Sequence, residues 1–206
     1  LGIPSSGKNI FGWFFGFLKI LSGLIYTDYP EILILEMGVD KPKDMDYLLK
    51  MVKPDIAVFT SVGEIPVHVE NFLSREALLK EKAKLALAIP KQGFVVYDSD
   101  SLDWLLFLEK IKAKTMTYGF TESPDIKIHQ PEVRFFDHEE SGRPIGIAFK
   151  IEHKGHTIPF RIDNVFADSG AYSAGAACAV GMILGMNLIE ISSGLSSYEP
   201  PRGRMN

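Results

Sequence analysis

Between residues 31 and 118, short runs of apolar and β-branched residues alternate with stretches of helix length. That alternation restricts the chain to a mostly parallel sheet whose strands are joined by helical crossovers. The run EILILE at 31–36 is apolar on successive positions, the pattern of a strand covered on both faces. A helix is expected over 42–52, with Pro42 early and Asp44 and Asp46 in the first turns, where the helix dipole favours negative charge. DIAVFT at 55–60 is the next expected strand. Ser74 is placed to cap a helix running to about residue 88, with Glu76 near its positive end and Pro90 just past its close. A strand at 93–97, a helix at 102–112 and a strand at 114–118 continue the alternation.

Beyond Pro124 the period changes. Residues 125–136, 145–153 and 157–162 alternate every second position and are separated by the glycine-containing turns SGRPIG and HKGH. This predicts an antiparallel addition to the sheet. Two helices, about 170–184 and 188–198, precede the segment EPPRGRMN. The expected fold is α/β, a largely parallel sheet flanked by helices with an added antiparallel strand region, in a single domain over 1–206.

Composition narrows the functions. The chain has 206 residues, 46% of them hydrophobic, enough for a buried core. Its net charge is −4 and its 22 basic residues are scattered, so nucleic acid is not an expected partner. The single cysteine, Cys178, lies in an alanine-rich apolar run and reads as a small buried hydrophobe, in keeping with a reducing, cytoplasmic setting. The most apolar stretch, 10–26, contains Lys19 and falls short of the ~20 residues a membrane crossing needs. It also lacks the basic start of a signal peptide, and reads as a buried or partner-facing helix.

Several residues are suited to chemistry. Gly2, Gly7 and Lys8 nearly spell a phosphate-binding loop, but Asn9 replaces the hydroxyl residue that would hold magnesium, and only Leu1 precedes the motif. Glu36 closes the first expected strand, the end at which open α/β sheets place ligands, and a carboxylate there suits Mg²⁺; a solvated strand terminus or a helix cap is the plainer alternative. The second strand runs into TSVGEIPVHVENF, which brings Thr60, Gly63, His68 and Glu70 to the same edge, where the histidine reads equally as a surface residue. Lys84 lies on the Ser74 helix beside Lys80 and Lys82, one of several lysines on a solvated face.

The pieces LEMG (35–38), VKPDIAVFTSVGE (52–64), His68-Val69-Glu70, SREALLKEKAKL (74–85) and PPRGRM (200–205) occur in the order of the Mur ligases, and from about residue 32 to 205 the chain resembles that family's central ATP-binding domain. Within the family it looks most like the members that join D-alanyl-D-alanine to a UDP-muramoyl peptide. The resemblance implies ATP and Mg²⁺ as cofactors, Glu36 and His68 as magnesium ligands, and Lys84 as a lysine that reacts with CO₂ to become a carbamate. It places Thr60, Asp98 and Arg204 at nucleotide contacts. Asp98 stands where the family usually has asparagine, and Ser169 and Gly170 stand where it commonly has a polar pair. The implied reaction phosphorylates the precursor's carboxylate to an acyl phosphate, which the amine of D-alanyl-D-alanine then attacks. The family's phosphate loop lies upstream of a segment resembling 1–4, and its amino- and carboxy-terminal domains have no counterpart here, so the chain is expected not to turn over alone. Two other readings compete: an interaction module that docks through 10–26 onto itself, another protein or a membrane, and a nucleotide hydrolase built on Gly7 and Lys8.

Overall fold

The computed structural model describes residues 13–14, 30–60, 69–136 and 142–199. The chain divides into two compact units, residues 1–37 and 38–206. In the first, Trp13 and Phe14 are helical and exposed. The rest of the helix expected over 10–26, and the glycine motif ending at Asn9, lie outside the described residues. The strand expected at 31–36 is corrected: these residues join no strand among the described residues, and Ile32, Leu33, Ile34 and Leu35 are exposed, Ile34 by 88%. Strand preference belongs to the pairing and burial around a segment more than to its composition.

The second unit holds α1 (Asp44–Met51), β1 (Ile56–Phe59), α2 (Arg75–Ala88), β2 (Phe94–Asp98), α3 (Leu105–Leu108), β3 (Lys114–Gly119), β4 (Ile126–Ile128), β5 (Glu132–Phe135), β6 (Pro144–His153), β7 (His156–Asp163), α4 (Asp168–Ile183) and α5 (Leu188–Ser196). β1, β2, β3 and β4 pair in parallel, and β6 pairs antiparallel with β4, β5 and β7. β4 lies beyond the change of period at residue 124 yet still pairs in parallel with β3, and the antiparallel pairing begins where β4 meets β6. β4 and β5 share one edge of β6, and β7 takes the other. Gly119 of β3 is level with Lys127 of β4, which is level with Glu152 of β6, so residues 144–150 of β6 continue past the end of β3.

Side chains alternate across the strands and feed two cores. On one face Ala57, Phe59 and Val95 pack with Leu79, Ala83 and Ala86 of α2 and with Trp104. On the other, Val96, Tyr118, Ile126 and Ile128 pack with α4 and α5. Ser74 caps α2 as expected, its Oγ accepting from the Ala77 amide at 3.1 Å. Asn187 and Glu190 form a reciprocal capping box on α5. The helix expected over 102–112 is shorter: a 3₁₀ turn, Leu102–Trp104, leads into α3, and the Lys110 and Ile111 amides donate to the carbonyls of Phe107 and Leu108. Bonds of that i→i+3 type tighten and end a helix. Among the described residues no helix is long and apolar enough to cross a membrane.

α4 lies close to the sheet because its inner face is made of small residues, including Ala171, Ala174, Gly175 and Cys178. A Cβ at Gly175 would stand 2.6 Å from Ile128 Cδ1 and 3.1 Å from Tyr118 Cδ2. Gly175→Val is therefore expected to destabilise the fold by about 1–3 kcal/mol through overpacking. Urea unfolding measures this, and a midpoint equal to that of the unmodified chain would contradict the close approach.

Candidate functional site

β1, β2 and β3 end together at Phe59, Asp98 and Gly119. Ligands of open α/β sheets gather at this carboxyl edge. Thr60 is exposed immediately after β1. Asp98 is only 2% exposed. Its Oδ1 accepts from the Asp100 amide at 2.9 Å, and the Ser101 backbone also donates to it. Burial outweighs these bonds and pushes the Asp98 carboxyl above the ordinary range, with the charge of Asp100 adding to the shift.

Asp100 has the opposite balance. Partial burial works against its charge, yet the hydrogen bonds win and hold its carboxyl below the ordinary range. Its Oδ2 accepts from the Phe120 amide at 2.7 Å and from the Tyr172 hydroxyl at 2.8 Å, and its Oδ1 accepts from the Thr121 amide at 3.1 Å. Tyr172 lies in the first turns of α4, and its ring meets Phe120 edge-on at 4.8 Å. Tyr118 of β3 reaches past β2 to tie β1, donating its hydroxyl to the Phe59 carbonyl at 3.0 Å. Burial raises the pKa of both tyrosines, so both remain neutral donors. Gly119 leaves room for this network: a Cβ there would lie 2.5 Å from Ser99 Oγ and 2.6 Å from Asp100 Oδ1. The edge is rich in carboxylate acceptors, which suit hydroxyl and amine donors or a cation and repel bare phosphate.

Lys84 lies elsewhere, between α1 and α2. Its Nζ donates to Asp46 Oδ2 at 2.6 Å and pairs with Glu81 Oε2 at 2.8 Å. These bonds, Asp46 first, hold its ammonium above the ordinary lysine range. Glu81 is buried, and its other oxygen accepts from the Lys43 and Met45 amides at the start of α1, where Lys43 adopts a left-handed φ of 78°. In this arrangement Lys84 is a cation that closes a helix cap. A carbamate there would be an anion against two carboxylates, and its formation needs a neutral amine. Glu36 is exposed and belongs to the separate 1–37 unit, while His68 and Arg204 fall outside the described residues. Among the described residues no three side chains of the metal-binding types gather.

Sequence reasoning singled out neither Glu81 nor the Arg75–Asp103 pair. The one available signal was an arginine opening a helix, against the helix dipole.

Residues 19–171 match the Mur ligase middle domain. The chain is 27% identical over 179 residues to the UDP-N-acetylmuramoyl-tripeptide–D-alanyl-D-alanine ligase of Bacillus subtilis, a match covering 87% of this chain and 35% of that one. It is 26% identical to the Mycobacterium leprae ligase of the same name, covering 96% of this chain and 37% of the relative. Among solved structures, MurF ligase from Thermotoga maritima in complex with ADP superposes with a TM-score of 0.69 at 24% identity, covering 87% of this chain and 39% of that one. The chain thus spans about a third of the length of the curated relatives it matches.

Two substitutions probe these contacts. Asp98→Asn keeps the acceptor for the Asp100 amide and removes a charge that burial disfavours. Because folding raises this carboxyl's pKa above its ordinary 3.8, ionisation costs stability as the pH climbs past 3.8, and the cost is complete above the raised value. The variant should therefore melt higher than the unmodified chain at pH 7 and lose that advantage below pH 3.8; equal melting temperatures at pH 7 would exclude the penalty. Lys84→Met leaves the buried Glu81 without its counter-charge and is expected to cost about 1–3 kcal/mol in urea unfolding. No loss would mean that the tie is dispensable.

Proposed function

The chain belongs to the Mur ligase family, matching its middle domain, and from that premise we propose that it carries the ATP- and metal-handling part of a ligase that joins D-alanyl-D-alanine to a UDP-muramoyl peptide in peptidoglycan synthesis. The observation that carries this reading is the shared edge of β1, β2 and β3, where Thr60, Asp98 and Asp100 meet at the ends of adjacent parallel strands. In the proposed reaction a carboxylate oxygen of the precursor attacks the terminal phosphorus of ATP and ADP leaves. The amine of D-alanyl-D-alanine then attacks the acyl carbon, gives up a proton, and inorganic phosphate departs. Both steps depend on alignment and on neutralising charge at phosphate oxygens.

On this reading Glu36 and His68 would hold Mg²⁺, which would supply that neutralisation. The chain's own contribution at the edge is positional. Asp98, buried and bonded to the loop that follows it, shapes residues 99–101 and reaches the nucleotide through that loop. Asp100 is charged but fully engaged by Phe120, Thr121 and Tyr172, and so holds the loop in one place. The exposed Thr60 hydroxyl is free to meet a phosphate that the carboxylates would repel. Arg204 supplies a cation to the nucleotide. A carbamate on Lys84 enters the reading only if Lys84 leaves both Asp46 and Glu81; otherwise the residue serves as the tie between α1 and α2.

Calorimetry of the chain with Mg²⁺-ATP in bicarbonate tests the proposal, with Glu36→Ala and Lys8→Ala as the compared variants. The unmodified chain and Lys8→Ala should bind alike, and Glu36→Ala should bind about tenfold or more weakly. Binding lost with Lys8 and kept without Glu36 would move the nucleotide to the glycine motif, and an unmodified chain that does not bind would refute the reading.

A further inference from the structure

We infer that Arg75 and Asp103 are positioning residues, whose pairing sets the start of α2 against the turn that follows β2 and so steadies the loop 99–101 at the strand-end edge. Arg75 opens α2, and its Nη1 and Nη2 donate to the two oxygens of Asp103 at 2.5 and 2.6 Å. A cation at the first position of a helix faces the positive end of the dipole and is unfavourable there unless an anion is held beside it. Asp103 is that anion. It lies in the turn Leu102–Trp104, its side chain is 14% exposed, and it meets the end of α2 with the favourable sign.

The next residue makes a second tie. The ring of Trp104 tilts against Phe59 with centroids 4.7 Å apart, and both rings are buried. Phe59 is the last residue of β1 and Arg75 the first of α2. The two ends of the connection between β1 and α2 are thus pinned to two consecutive residues of one turn, the first by an apolar ring contact and the second by a two-pronged ion pair. The ring contact carries most of the energy, because a partly exposed ion pair contributes only about 0–1 kcal/mol. What the ion pair adds is direction: a planar fork on a carboxylate permits one relative orientation, which a lysine with the same charge does not impose. Asp103 lies three residues beyond Asp100, so a shift there passes along a short length of backbone to the carboxylate that holds Phe120 and Tyr172.

This inference deepens the proposed Mg²⁺-ATP reading of the strand-end edge and rests on it. The test compares the whole chain with Arg75→Met, Arg75→Lys, Asp103→Asn and the Arg75→Met/Asp103→Asn double variant, by calorimetry with Mg²⁺-ATP and by amide hydrogen exchange. Each single change should weaken binding about tenfold, the double variant no further, and lysine should restore little. Exchange should rise together in 69–75 and 99–104 while β2 and β3 stay protected. Exchange rising in one segment alone, or Mg²⁺-ATP affinity that ignores Arg75→Met, overturns this inference and leaves the nucleotide reading standing. An unmodified chain that does not bind Mg²⁺-ATP overturns both.

Discussion

The carboxylate of Asp100 is where three elements of this fold are fastened together. It belongs to the loop after β2, its acceptors are filled by amides at the end of β3 and by the hydroxyl of Tyr172 on α4, and the loop cannot shift without breaking those bonds. The charge is tolerated because donors surround it, whereas Asp98, two residues earlier, is buried with fewer donors and resists ionisation. Two like residues two positions apart thus take opposite electrostatic characters, one set by hydrogen bonds and the other by desolvation. The stable placement of the carboxyl edge follows from this pairing, and so does the close fit that requires glycine at 119.

The two faces of the sheet are held by different means. On the α4 side, small residues let the helix and sheet approach, and cohesion comes from packing around Tyr118, Ile126 and Ile128. On the α2 side the apolar core is reinforced by polar ties at its margins: Arg75 with Asp103 at the start of α2, and Glu81 with Lys84 farther along, which caps α1 and draws Asp46 in. α1 owes its start to a carboxylate from another helix, because its own preceding residue, Lys43, offers no side-chain cap.

Much of the architecture was legible because it rests on local periodicity. β1, β2 and β3, the Ser74 cap of α2, the switch to antiparallel pairing and the two closing helices all follow from patterns a few residues long. The run 31–36 carried an equally strong pattern and is not paired among the described residues, since a strand needs a partner that composition does not supply. The site was less legible for a related reason. Thr60 was placed at a strand end by the residue pattern and Asp98 at a nucleotide contact by the family resemblance, but the neutral tendency of Asp98, the 28-residue separation of Arg75 from Asp103 and the 38-residue separation of Lys84 from Asp46 depend on tertiary contacts. Lys84 shows this most clearly: its sequence neighbours made it one lysine of a solvated face, and its spatial neighbours make it a counter-ion to a buried glutamate.

The stagger of the sheet gives its rim a stepped outline. β1, β2 and β3 stop within two residues of one level, while β6 carries on through residues 144–150, roughly 20 Å at the usual rise of a strand, with β5 along one edge and β7 along the other for part of that length. A molecule resting on the ends of the parallel strands therefore meets a standing wall on the β6 flank. That wall gives the edge a built-in handedness, since a bound molecule can lean on backbone only towards β6.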